Sequence, residues 1–143
     1  MISFIVPVFN GYKFINKNYE CFLAQYNDEF EIIYVNDGST DDSLVLLNIL
    51  SSKDSRVTVI NSINQGAMVA RKIGFEKSKY KYIAFVDIDD EILPNFVSAF
   101  SNYLGQADIL IGSYNVLYKN QEKIVKKKKK IVSSYDYLEN YFL

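Results

Sequence analysis

Apolar positions along this chain follow two rhythms. The runs ISFIVPV (2–8), FEIIYV (30–35), RVTVI (56–60) and YIAFV (82–86) are almost continuously hydrophobic, the pattern of strands covered on both faces rather than of strands with one wet face. A further run, DILIGSYNVLY (108–118), comes after them. Between the runs the spacing becomes helical. Over 12–26, Ile15, Tyr19, Phe22, Leu23 and Tyr26 share a stripe, with Lys13, Asn16, Lys17 and Asn18 largely opposite. Over 40–50, Leu44, Leu47 and Leu50 repeat, and Ser39 with Asp42 makes an N-terminal capping pair. Over 66–77 the small residues Ala67, Ala70 and Gly74 share a face, which predicts a helix lying close to a sheet. This alternation predicts an α/β fold: right-handed crossovers and a mostly parallel sheet flanked by helices.

After residue 105 the pattern changes. NVLYKNQEKIVKKKKKIV reads as two strands around the polar turn Lys119 to Glu122, and SSYDYLENYFL starts a helix capped by Ser133 or Ser134. That helix meets no glycine or proline stop before Leu143, so a longer sequence is expected. The expected division is a core over 1–118 and a hairpin with the start of a helix over 119–143.

Composition narrows the chemistry. With 49% hydrophobic and 15% aromatic residues in 143, the chain can bury a proper core. Sixteen basic against 17 acidic residues give a net charge of −1, so any charge effect is local. There is no histidine and one cysteine, Cys21, which excludes histidine-based triads, multi-cysteine zinc sites and an internal disulfide. Carboxylates are what remain. Cys21 reads as a packing residue. The N-terminus lacks a basic leader and no run reaches the roughly 20 apolar residues of a membrane span, so a cytoplasmic chain is expected. The run Lys126 to Lys130 reads first as a solvated edge, and second as peripheral contact with the anionic inner face of a membrane. Nucleic acid is not expected as a partner, because aromatic and basic residues are not interleaved.

In an open parallel sheet, ligands bind beyond the carboxyl ends of the strands. There the sequence places Pro7, Phe9 and Asn10 after the first strand, Asn36, Asp37 and Gly38 after the second, Asn64 and Gly66 after the third, and DIDDE after the fourth. Two carboxylates ~4 Å apart repel by about 4 kcal/mol at an effective dielectric of 20. Asp87, Asp89 and Asp90 must therefore shift their pKa values, point apart or share a cation, and a hard divalent ion suits oxygen ligands. Acids preceding Pro94 would equally suit a helix N-terminus, and residue types alone leave both readings open. Ile92 stands where an EF-hand loop needs glycine. Glu91 and the late position of the strand depart from a haloacid-dehalogenase-type pattern, and no P-loop or G-x-G-x-x-G is present. A nucleotidyltransferase would normally carry a glycine-rich basic loop after strand one, where PVFNGYKF stands.

Taken in order and spacing, ISFIVPVFNGYKFI, FEIIYVNDGSTDDS and NQGAMVARKIGFEKSKYKYIAFVDIDDEILP resemble the N-terminal donor-binding half of a family 2 glycosyltransferase with the Rossmann-like GT-A fold, over about residues 1–118. The resemblance implies an inverting transferase that moves a sugar from a nucleotide diphosphate, expected to be a UDP-sugar, to a glycan, lipid-linked or protein acceptor in polysaccharide synthesis. It implies that Pro7 and Phe9 line a base pocket, that Asp37 binds the base, and that Arg71 lies near the nucleotide. In the DxD-type motif Asp87-Ile88-Asp89, Asp87 would stand near the ribose and Asp89 would hold Mg²⁺ or Mn²⁺, with Asp90 as a neighbouring ligand. Asn10, Asn64, Gly66 and Ile88 complete the expected donor-binding set. Asn36 stands where many relatives have aspartate and Lys72 where many have asparagine. No residue after Asp108 matches the family's general base, which is expected beyond Leu143; a donor-binding module without turnover is the alternative.

Overall fold

The structure is a computed structural model, and it describes residues 1–106 together with the backbone of 109–111 and 130–132. Its elements run β1 (Ile2–Val8), α1 (Tyr12–Leu23), β2 (Phe30–Asp37), α2 (Ser43–Lys53), β3 (Val57–Ser62), α3 (Ala67–Lys77), β4 (Tyr82–Phe85), α4 (Phe96–Ser101), β5 (Ile109–Ile111) and β6 (Lys130–Val132). Two compact units result, Met1–Ala99 and Phe100–Leu143. In the second, β5 and β6 pair antiparallel with Ile109 opposite Val132. That is the register a turn over Lys119 to Glu122 would impose; the turn itself, the lysines 126–129, the helix expected from Ser133 or Ser134 and the boundary at 118 lie outside the described residues.

The first unit is built on a parallel sheet in the order β3-β2-β1-β4. Every residue of β1 and β2 is buried, as continuous apolar runs require when helices cover both faces. Side chains alternate between those faces along a strand. Val35 and Ile33 pack with Ala70 of α3, whereas the hydroxyl of Tyr34, between them, bonds to Asn18 of α1, so α3 and α1 lie on opposite faces. A Cβ built on Gly74 would sit 2.4 Å from Cγ2 of Ile5, which explains the small-residue face of α3: the helix backbone rests on the sheet. On the other face Phe4 gathers Phe22, Phe30 and Phe96, with ring centroids 5.0 to 5.7 Å apart.

Two local expectations are corrected. Along α1 the buried residues are Ile15, Asn18 and Phe22, while Leu23 and Tyr26 are exposed. Asn18, expected on the polar face, turns inward because a polar partner waits there in the Tyr34 hydroxyl. Ser39 and Asp42 do not cap α2, whose N-cap Asp42 makes no side-chain bond. Ser39 Oγ instead accepts from the Asn10 N–H, and Asp41 accepts from the Ser43 N–H through Oδ1 and from the Tyr12 N–H through Oδ2. The polar residues of the β2–α2 loop are thus committed to the loop after β1.

At the opposite end of the sheet from these loops, Arg56 bonds to Asp54 and Asp28 and lies over the Phe30 ring. The Arg56 guanidinium holds the Asp54 carboxyl down at about 2, with the Tyr19 hydroxyl donating to it at 2.8 Å. A depressed carboxylate stabilises the fold above its unfolded value, and the contribution is lost as pH falls through the folded one. Asp54→Asn is therefore expected to cost about 2 kcal/mol at neutral pH, with the deficit closing between about pH 4 and pH 2. Denaturant melts across that range check it; a deficit that does not change with pH would contradict the assignment. Gly74→Val should cost about 2 kcal/mol or more in the same assay, because overpacking outweighs any gain over glycine in helix propensity.

Candidate functional site

The carboxyl ends of β1, β2 and β4 and the first turns of α3 enclose a cleft of about 230 Å³. Pro7 and Val8 enter it from β1, Phe9 from the loop after it, Asp37 from β2, Ala67 and Arg71 from α3, and Asp87, Ile88 and Asp89 from the segment after β4. Six residues assigned from the sequence as donor-binding, and Asp89 assigned to metal, therefore share one space. Phe9 is 51% exposed, a large ring left open at the cleft, where a core residue would be covered.

Asp37 is only 3% exposed. Its carboxylate is satisfied by two consecutive backbone donors, Gln65 N–H to Oδ1 at 2.9 Å and Gly66 N–H to Oδ2 at 2.8 Å. Gly66 reaches that position at a φ of 89°, in the region that favours glycine. Each oxygen keeps a second lone pair for a ligand donor. Gly38 turns the chain after β2 at a φ of 68°, and a Cβ there would meet the Asn64 nitrogen at 2.6 Å. Asn10, at a φ of 50°, accepts through Oδ1 from both the N–H and the hydroxyl of Thr40. Asn10, Asn64 and Gly66 thus do not line the cleft; they tie together the loops that do.

The acidic segment is treated unequally. Asp87 pairs with the Arg71 guanidinium across the cleft. Desolvation of its carboxyl first, and then the charges of Asp87 and Asp89, push the pKa of Asp90 up; Asp90 does not line the cleft. Glu91 pairs with Lys17. Among the described residues Asp89 has no side-chain hydrogen bond or ion pair, and it lines the cleft. The segment is a turn, closed by the Asp90 N–H donating to the Asp87 carbonyl at 3.0 Å, and α4 begins only at Phe96, so the acids are not its first turn.

No cluster of three metal-ligating side chains occurs among the described residues. The donor set nonetheless fits a hard divalent cation of the Mg²⁺ type, which is commonly bound by one or two carboxylates with substrate phosphates and water completing its shell. Asp89 offers such a carboxylate, and Arg71 offers a fixed positive charge beside it.

Sequence reasoning missed the lining residues Val8 and Ala67, and it missed Asn18 beneath the acidic turn. A signal for Asn18 existed: Tyr34 sits in a fully buried apolar strand, and a buried phenol needs a hydrogen-bond partner from a covering helix.

Comparison with known proteins agrees with this geometry. The family model described as Glycosyl transferase family 2 matches residues 3–142. An uncharacterized glycosyltransferase of Haemophilus influenzae is 37% identical over 143 residues, covering 96% of this chain and 56% of the relative. Glycosyltransferase GlyG of Streptococcus pneumoniae is 35% identical over 117 residues, covering 80% of this chain and 39% of the relative. The chain thus spans little more than half the length of the first of these and less of the second. S. aureus TarS 1–349 in complex with UDP-GlcNAc superposes with a TM-score of 0.67 at 25% identity, over 73% of this chain and 31% of that one. The mannosyltransferase PcManGT of Pyrobaculum calidifontis, in complex with GDP-Man and Mn²⁺, shares the fold with a TM-score of 0.67 at 16% identity, over 82% of this chain and 35% of that one. The parallel sheet flanked by helices is that of a GT-A glycosyltransferase, and the chain belongs to glycosyltransferase family 2.

Proposed function

We propose that this chain is the donor-binding part of an inverting, metal-dependent transferase that takes its sugar from a nucleotide diphosphate, with UDP as the nucleotide. The observation that carries this reading is the single cleft in which an open aromatic ring, a buried carboxylate, an arginine–aspartate pair and a carboxylate without a protein partner among the described residues face one another. The likeness to TarS with UDP-GlcNAc supports the choice of nucleotide.

Each residue then has a physical task. Phe9 stacks on the base, and Pro7 shapes the wall beside it. Asp37 accepts an N–H of the base through a remaining lone pair, and the two backbone donors keep it oriented. Arg71 holds Asp87 near the ribose and brings positive charge toward the diphosphate. Asp89, with Asp90 as its neighbour, would hold Mg²⁺ or Mn²⁺. When bound, that ion supplies electrostatic stabilisation of the charge left on the diphosphate as the sugar departs. An acceptor hydroxyl attacks the anomeric carbon from the side opposite the nucleotide and the bond to the β-phosphate oxygen breaks, with its electron pair, toward the diphosphate. The described residues after Glu91 include no Asp or Glu, and the base for the acceptor proton is proposed to lie outside the described residues. The acceptor is proposed to be a glycan, lipid-linked or protein hydroxyl, in polysaccharide synthesis on the cytoplasmic side of the membrane.

Calorimetric titration with UDP tests the reading. Mn²⁺ should tighten UDP binding, and Asp89→Ala should abolish the gain; equal affinity with and without metal would contradict the metal assignment. Phe9→Ala should weaken UDP in either condition by about 1–3 kcal/mol, the range for loss of base–aromatic stacking. An unchanged affinity would move the base elsewhere. Slow Mn²⁺-dependent release of sugar from the donor separates an enzyme from a module that binds without turnover.

A further inference from the structure

Asn18 lies on α1 and is 2% exposed. Its amide is used at both ends. Oδ1 accepts from the Tyr34 hydroxyl at 3.0 Å, and Nδ2 donates to the carbonyls of Asp90 at 3.3 Å and Asp87 at 3.5 Å. Those two carbonyls are the first and last of the four-residue turn that carries Ile88 and Asp89, since the Asp90 N–H closes it onto Asp87. Two amide protons therefore meet two carbonyls, and the amide oxygen meets a hydroxyl. The reverse orientation would set the amide oxygen against two carbonyl oxygens, so only one orientation is favourable. Burial pushes the Tyr34 phenol upward, which keeps its proton available to Asn18.

Neighbouring contacts hold the segment between the turn and α4. Lys17 pairs with Glu91, and Gln25 donates to the Leu93 carbonyl at 2.8 Å while accepting from the Val97 N–H at 3.1 Å. Among the described residues, Asn18 alone contributes side-chain hydrogen bonds to the backbone carbonyls of residues 87–90.

We propose that Asn18 is the positioning residue of the acidic turn, bridging the carbonyls of Asp87 and Asp90 so that the Asp89 carboxylate is held toward the cleft. The link to catalysis rests on the reading of Asp89 as the metal-binding carboxylate. The physical sequence runs from the sheet outward: the buried Tyr34 hydroxyl orients the amide, the amide fixes the turn, and the turn aims Asp89. Asn18 touches neither nucleotide nor metal in this scheme.

Asn18→Leu tests it, because it removes all three bonds at nearly constant volume without adding charge. Amide exchange at Asp90 should quicken by about tenfold, the equivalent of about 1.4 kcal/mol of lost hydrogen bonding. The Mn²⁺-dependent gain in UDP affinity should fall by a similar factor while metal-free UDP affinity stays within about twofold. A purely structural defect would lower both affinities together, and that result, or an unchanged Asp90 exchange, or an unchanged metal gain, would overturn the proposal. If the wild-type chain shows no metal gain, the metal reading fails separately, and Asp90 exchange alone decides whether Asn18 positions the turn. Should Asn18→Leu not fold, Tyr34→Phe serves, since it removes only the orienting hydroxyl; no quickening at Asp90 in that variant would overturn the proposal.

Discussion

Negative charge crowded at the end of β4 is the constraint on which the rest of this structure depends. Asp87, Asp89 and Asp90 occupy one turn, and an anionic diphosphate brought to the same rim would be repelled by all three. The fold meets this by giving the carboxylates different surroundings. Arg71 neutralises Asp87, desolvation and like charge raise the pKa of Asp90, and Asp89 is left facing the cleft. Any ion bound there would act against a background already partly balanced, which is why a single open carboxylate can suffice where three converging ones are absent among the described residues.

That arrangement needs a rigid frame, and the frame is made largely of side chains bonded to the backbone of neighbouring loops. The buried Asp37 carboxylate collects two N–H groups from the start of α3, Gly38 lets the β2 and β3 loops touch, and Asn10 ties the β1 loop to Thr40. Behind them Gly74 lets α3 lie on Ile5, which carries Arg71 over the sheet toward Asp87. The packing of small residues and the placement of a guanidinium are thus one event seen within a single turn of the same helix.

Much of this was legible in the sequence. Continuous apolar runs marked out β1 to β4, although only β1 and β2 are buried throughout while the edge strands β3 and β4 stay partly exposed, and the small face of α3 announced a close approach. The meeting of Pro7, Phe9, Asp37, Arg71, Asp87 and Asp89 agrees with the rule that loops at the carboxyl ends of parallel strands converge. What could not be read was how polar side chains are spent. Ser39 looks like a cap and serves a neighbouring loop. Asn18 looks solvent-facing and is buried, since helical periodicity reports the average face and not the one position where a buried hydroxyl calls for an amide. Asn64 and Gly66 sit in the right loop, yet whether a loop residue lines a cleft or braces it depends on tertiary contacts that spacing does not encode.

The most direct measurement is a crystal of the chain grown with UDP and Mn²⁺, with manganese located by its anomalous scattering. The account predicts a peak bonded to an Asp89 carboxylate oxygen and to the diphosphate, with Asp87 still paired to Arg71. Manganese on Asp87 with Arg71 displaced, or UDP bound in the cleft with no manganese at Asp89, would contradict it.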